Sequence, residues 1–215
     1  MQGLPSDDRI RALHQELAPG PAAFDLVYRH CRIVCAVAEQ IMNAGRPDPG
    51  LAPDPHLAPD PHLDLDPALV RAGSLLHDIG VYRLLDERGV LESGGYIRHG
   101  ILGHDLLVER GFPPELARFC SRHVGMGLSR QDVLAQGLPL PPQDYRPESG
   151  EEALVLYADK FHSKTTPSAF GTPATILARA RRFGHTQVTR FTSLQERFGT
   201  PSLEPLAAEF GDAVV

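Results

Sequence analysis

Ser74-Leu75-Leu76-His77-Asp78-Ile79-Gly80 ends a helical pattern and sets two chemically active side chains at its close. Upstream, Asp66-Pro67 has the form of an N-cap followed by proline at the first helical position. Leu69, Ala72, Leu75 and Leu76 then follow at helical spacing, so His77 and Asp78 sit where an apolar helix stops. A His-Asp pair at a helix end means little alone, since a histidine there also favours the helix dipole. Its weight depends on what the rest of the chain brings to the same interior.

Outward from this point the sequence predicts helices almost everywhere. Asp7 to Leu17 carries Ile10, Leu13 and Leu17 on one stripe. Phe24 to Ala44 carries Val27, Ile33, Val34, Val37 and Ile41. Further helices are expected over Ile97 to Arg110, from Pro113-Pro114 through Cys120, over Glu151 to Phe161, Pro173 to Phe183 and Thr186 to Phe198. The proline-rich stretch Gly137 to Gly150 is expected to be loop. No period-2 run bounded by turns suggests a sheet. The unit Leu51-Ala52-Pro53-Asp54-Pro55-His56 is repeated at Leu57 to His62 and reads as a duplicated extended loop. The expected fold is all-α, a compact single-domain helical bundle. Residues 1–22 form an N-terminal extension, 23–165 the core with a Pro-rich loop at 46–67, and 166–215 are C-terminal helices packed on the same domain.

The bulk properties exclude several classes. The 215 residues are 42% hydrophobic and 22% charged, with a formal charge of -6. This is ordinary globular composition. No basic cluster suggests a nucleic-acid footprint, and no apolar run reaches the ~18–20 residues that span a bilayer. Residues 1–10 lack the basic-then-apolar order of a signal peptide. Three cysteines do not make a disulfide framework, and Cys31 and Cys35 read as core filling. The expected compartment is the cytoplasm.

The ten histidines are the chemical signal. His30 lies on the apolar stripe of its helix, His123 continues the inward face of Leu116, Phe119 and Cys120, and Asp159 follows Val155 and Leu156 toward the apolar side. A buried carboxylate is costly unless paired or bound to metal. One interior that collects Asp and several His from separate helices is most economically a metal site. Imidazole and carboxylate donors suit Zn, Mn, Fe, Co or Ni.

The order His30, His77-Asp78, Asp159, with separations of 47 and 81 residues, resembles the HD-domain superfamily of metal-dependent phosphohydrolases. The resemblance runs from about Phe24 to Lys164. The segments His99 to Gly103, Arg122 to Gly125 and Leu156 to Lys160 resemble the subgroup with two extra histidines, matched by His99 and His123. The resemblance implies that His30, His77, Asp78 and Asp159 bind a first divalent metal. It implies that Asp78 bridges to a second, completed by His99 and His123, with His77 and Asp78 at the catalytic heart. The cofactor is then one divalent ion or, as the subgroup suggests, two, drawn from Fe, Mn, Co, Ni, Zn or Mg. The substrate would be a phosphate ester or anhydride of a nucleotide or another small phosphorylated metabolite. Alternatives are a di-iron oxygenase using the same ligands and a catalytically silent nucleotide-binding module.

Departures from the family matter. Val81-Tyr82 stands where many relatives carry lysine after His-Asp-Ile-Gly, so Arg83, the first cation, is the candidate for phosphate contact, with Lys160 beside Asp159. The Glu-Asp pair of guanosine tetraphosphate hydrolases and the Gly-Tyr-Pro triplet of cyclic-di-GMP phosphodiesterases are both missing. His104 lies about 140° around its helix from His99 and is set aside. Asp105, His162, His14, His185 and the basic stretch Arg179 to Arg182 are expected on solvated faces. The oligomeric state, a homo-oligomer included, is open.

Overall fold

The chain is known as a computed structural model that describes residues 3–44, 65–91, 95–165 and 167–215. The Pro-Asp-Pro-His repeat, with His56 and His62, lies outside the described residues. The architecture is a helical bundle. Helix α1 (Asp7–Leu17) is capped by Ser6, whose hydroxyl accepts from the Arg9 N–H, and it carries Asp7 and Asp8 at its positive end. Helix α2 (Pro21–Ala44) is the longest and buries Val27, His30, Val34, Val37 and Ile41 along one stripe. Helix α3 (Pro67–Leu76) opens as its sequence predicts: the Asp66 carboxylate accepts from the N–H groups of Ala68 and Leu69, and Pro67 occupies the first turn.

After α3 the backbone turns at Asp78 (φ -106°, ψ 8°) into a 3-10 helix, Ile79–Leu84. Helix α4 (His99–Glu109) packs against that segment and against α5 (Pro114–Arg122), which also packs on α3. Helix α6 (Arg130–Ala135) follows, and α7 (Gly150–Asp159) crosses the interior with Leu154 through Ala158 fully buried. Helices α8 (Pro173–Arg181), α9 (His185–Phe198) and α10 (Leu203–Phe210) complete the bundle. One apolar core draws Ile10 from α1, Val34 from α2, Leu76 from α3, Leu107 from α4, Leu154 from α7 and Phe191 from α9.

Besides the 3-10 turns, helices α6 and α10 and a small sheet were not anticipated. Helix α6 is too short to show a period, and its signal is a capping box in which Ser129 and Asp132 bond each other's backbone N–H. Helix α10 follows Pro201 and is short, but Leu203, Leu206, Ala207 and Phe210 stand at helical spacing along its inward side. A small sheet joins β1 (His162–Ser163) antiparallel to β2 (Ala169–Phe170), and β2 parallel to β3 (Ala213–Val214). Two-residue strands carry no alternation, so only the tertiary approach of the chain end creates them. His14, expected at the surface, is fully buried. One ring nitrogen donates to the Leu75 carbonyl at 2.8 Å and the other accepts from the Tyr82 hydroxyl at 2.9 Å, which ties α1 to α3 and the 3-10 segment.

Candidate metal centre

Six of the side chains singled out above meet in the interior. His30 comes from the middle of α2, while the others sit at helix ends: His77 and Asp78 after α3, His99 opening α4, His123 closing α5, Asp159 ending α7. Helix ends leave backbone carbonyls without intrahelical partners, and the histidines use them. His77 Nδ1 donates to the Ser74 carbonyl (2.7 Å), and His123 Nδ1 to that of Phe119 (3.0 Å). His99 Nδ1 donates to the carbonyl of Tyr96 (2.5 Å), in the turn that leads into α4. With Nδ1–H committed in this way, each ring presents the Nε2 lone pair inward.

His30 is oriented by a longer chain. His162 Nε2–H donates to Asp212 Oδ2 at 3.1 Å, so its neutral ring offers Nδ1 as acceptor, and His30 Nδ1–H donates to it at 2.8 Å. Asp212 is itself held by Arg29 at 2.9 Å and by the Ser168 hydroxyl at 2.7 Å. His162 is therefore a correction to the expectation of a solvated residue: it is buried and stacked at 5.1 Å from His30. It follows Asp159 by three residues, but the helix stops first, so helical periodicity mislocates it.

The result is a buried cluster of acceptors facing acceptors. His30 Nε2 lies 3.3 Å from His77 Nε2, and His99 Nε2 lies 2.8 Å from His123 Nε2. Asp78, fully buried, divides its oxygens between the two pairs. Oδ2 is 3.5 Å from His30 Nε2 and 3.9 Å from His77 Nε2, while Oδ1 is 3.4 Å from His99 Nε2 and 3.5 Å from His123 Nε2. Asp159 Oδ1 joins the first pair at 3.0 and 3.5 Å. Among the described residues Asp78 Oδ1 has no hydrogen-bond partner. Two triads, His30–His77–Asp78 and Asp78–His99–His123, each bring their donor atoms within 4.8 Å of one another. Facing lone pairs and an orphaned carboxylate oxygen are unfavourable without a cation between them. The residues therefore fit divalent metal, and their nitrogen and oxygen donors suit a borderline or hard ion.

The electrostatics agree. Burial pushes His30 and His99 down to about 3, so near neutrality each ring is neutral, with one N–H, and takes no second proton. Burial works against ionisation of Asp78, yet the Lys164 ammonium and the surrounding imidazoles hold its carboxyl well below the usual range. Asp159 is likewise held down, against burial, by Lys160, His30 and His77. His77 goes the other way, raised against burial by Cys31, Asp78 and Asp159. An acceptor cluster draws positive charge from whatever is near, here the ammonium of Lys164 on Asp78 Oδ2.

The centre floors a cavity of about 710 Å³, where His99, His123, Asp159, Lys160, His162 and Lys164 contribute to the lining. Lys160 Nζ contacts Asp159 Oδ2 (2.5 Å) and the His123 carbonyl (3.0 Å). Arg83 is a correction. It is the exposed position of the 3-10 turn, whose other residues are buried, and it pairs with Glu109 instead of lining the cavity. The cation on that side is Lys164, from the loop after α7. No sequence signal marked it, because its approach to Asp78 spans 86 residues. Asp105 and His185 are exposed as expected.

The sequence matches the family described as HD domain over residues 27–164. An uncharacterized protein of Methanocaldococcus jannaschii is 42% identical over 91 residues, 42% of this chain and 47% of that protein. A tRNA (cytidine(56)-2'-O)-methyltransferase of Picrophilus torridus is 37% identical over 95 residues, 44% of this chain and 24% of that protein. The matched segment thus spans about half the length of the first relative and a quarter of the second. Among solved structures, the HD domain of the L. monocytogenes phosphodiesterase PgpH shares the fold, with a TM-score of 0.50 and 16% identity, over 94% of this chain and 97% of that one.

Proposed function

Since this chain belongs to the HD domain family, we propose that it is a divalent-metal-dependent phosphohydrolase that cleaves a phosphate ester or anhydride of a small molecule. One observation carries the reading: an acceptor-only cluster in which the two oxygens of Asp78 turn toward two separate histidine pairs. On this reading His30, His77, Asp78 and Asp159 hold one ion, and Asp78, His99 and His123 a second. Bound divalent cations supply an activated water near neutral pH and neutralise charge on a phosphoryl oxygen.

The chain's own residues do the rest. The hydrogen bonds from Nδ1 to Ser74, Tyr96, Phe119 and His162 hold the four rings in their ligating tautomer and orientation. Lys164 and Lys160 stand at the cavity floor, where their ammonium groups can contact phosphoryl oxygens. In this role Lys164 takes the place of the lysine that many relatives carry after His-Asp-Ile-Gly. Burial of the centre removes competing water from the charges and strengthens their field.

The test is metal analysis of protein purified without chelators, together with phosphate release from a panel of esters and anhydrides under anaerobic conditions. Wild-type protein is expected to retain metal and release phosphate without oxygen. Asp78→Ala is expected to lose both metal and turnover, by 10³-fold or more in kcat/KM. Unchanged metal stoichiometry in that variant would sink the assignment.

A further inference from the structure

The walls of the cavity differ in kind from its floor. Above the cations, Leu85, Ile97, Val124, Met126, Leu128 and Leu138 make an apolar lining. Nine large apolar side chains are exposed among the described residues, and four of them, Leu26, Leu91, Tyr96 and Phe183, line this one cavity at 37–68% exposure. Apolar residues scattered singly over a surface need no explanation, whereas apolar residues gathered around one opening mark a site that something apolar covers.

Of the hydrogen-bonding side chains on the walls, Gln187, Ser163 and Thr165 are engaged within the protein, while the Tyr96 hydroxyl, Gln136 and Arg179 lie at exposed positions. The Gln187 side-chain oxygen accepts from the Met126 N–H at 3.1 Å, and the hydroxyls of Ser163 and Thr165 bond each other at 3.0 Å. A nucleoside brings a base edge and ribose hydroxyls that lose water on entry and need partners here. A hydrocarbon or simple aromatic body needs none, and the walls offer it area to bury.

Resting on the phosphohydrolase reading, we propose that the substrate is an amphiphilic phosphate monoester, its phosphate on the metal-and-lysine floor and an apolar alkyl or aryl body along the walls, rather than a nucleotide. In the reaction the water oxygen bonds to phosphorus and the bond from phosphorus to the ester oxygen breaks. One water proton ends on the departing alcohol, so the ester and water give an apolar alcohol and inorganic phosphate.

The experiment measures binding and turnover separately on the full chain loaded with Mn²⁺. Calorimetry with butyl-, hexyl- and octylphosphonate, which are not hydrolysed, should show Kd falling about fourfold per methylene, the gain for burying a CH₂. Adenosine 5′-monophosphate should bind at least tenfold more weakly than octylphosphonate. Phe183→Ser with Leu26→Ser should reduce the octyl-to-butyl affinity ratio severalfold. A Kd independent of chain length, a preference for the nucleotide, or an unchanged ratio in the double variant overturns the proposal. Phosphate release from the corresponding alkyl phosphates separates the two readings. A chain-length slope in binding with no release from any ester removes the hydrolase reading, and with it the role of substrate, and leaves only the binding of amphiphilic phosphates, whereas release that ignores the apolar body keeps the hydrolase reading and overturns this proposal.

Discussion

At Asp78 a carboxylate with no solvent exposure divides its oxygens between two imidazole pairs, and among the described residues one of those oxygens has no donor. The same logic of donors and acceptors identifies the less obvious residues. His30 ligates only if its Nδ1 proton has somewhere to go, and His162, oriented by Asp212, is that acceptor. Replacing His162 with Phe keeps the ring's bulk and removes the acceptor. Metal binding, measured by competition with a chromophoric chelator, should weaken about 10–100-fold, the usual cost of losing such a support. The metal-free protein should stay folded by circular dichroism. An unchanged metal Kd in this variant would show that the Asp212–His162 pair plays no part in orienting His30.

Between elements, two contacts set the geometry. Gly80 lies where the 3-10 segment meets α4: a Cβ there would fall 2.1 Å from the His99 carbonyl and 2.3 Å from the Gly103 nitrogen. Both are backbone atoms, so neither can swing aside. Gly80→Ala must push α4 away and carry His99 with it. We expect a loss on the order of 3 kcal/mol or more in stability, with metal stoichiometry falling at the His99–His123 pair before the His30–His77 pair. Full stability and full stoichiometry in this variant would contradict the packing. The second contact is His14, which pins α1 to α3. Burial pushes its pKa from 6.5 to about 4, so the unfolded chain takes up a proton before the folded one does. Its contribution to stability is complete above pH 6.5 and is lost as pH falls through 4, on the order of 3 kcal/mol in all. His14→Gln can keep both hydrogen bonds without titrating in that range. Urea unfolding of the metal-free variant should therefore fall less steeply between pH 6.5 and 4 than that of the wild type. Parallel profiles would remove the effect from His14.

For the molecule as a whole, an ion held as proposed would act as a staple, because the six side chains come from α2, α4, α7, the end of α5 and the turn after α3. A ligand that binds only the folded state stabilises it by mass action, by about 2.7 kcal/mol at a hundredfold excess over Kd. For a chain of this size that corresponds to a Tm shift of roughly 5–10 °C. Chelation should lower Tm by that amount and added Mn²⁺ should restore it, whereas a Tm indifferent to chelator would argue that the cluster holds no ion. Among the described residues no helix is long and apolar enough to cross a membrane. Of the nine exposed large apolar side chains among the described residues, four line the cavity above the centre.

Much of this was legible in the sequence, and for a definite reason. Helices are written in local order: a 3.6-residue period, the Asp66-Pro67 start, and polar ligands placed on or at the end of apolar stripes can all be seen within a dozen residues. The helical class and the inward placement of His30, His77-Asp78, His123 and Asp159 follow from such patterns, whereas His99 was indicated only by the resemblance to the HD-domain subgroup with two extra histidines. The structure alone decided what depends on distant parts of the chain meeting. Lys164 reaches Asp78 across 86 residues, Asp212 supports His30 through His162, and the chain end adds a strand beside Phe170. Arg83 turns outward because a 3-10 turn, not an α-helix, follows Asp78. Periodicity reports which face of its own element a residue occupies, but it carries no information about what another element, folded against it, will bring into reach.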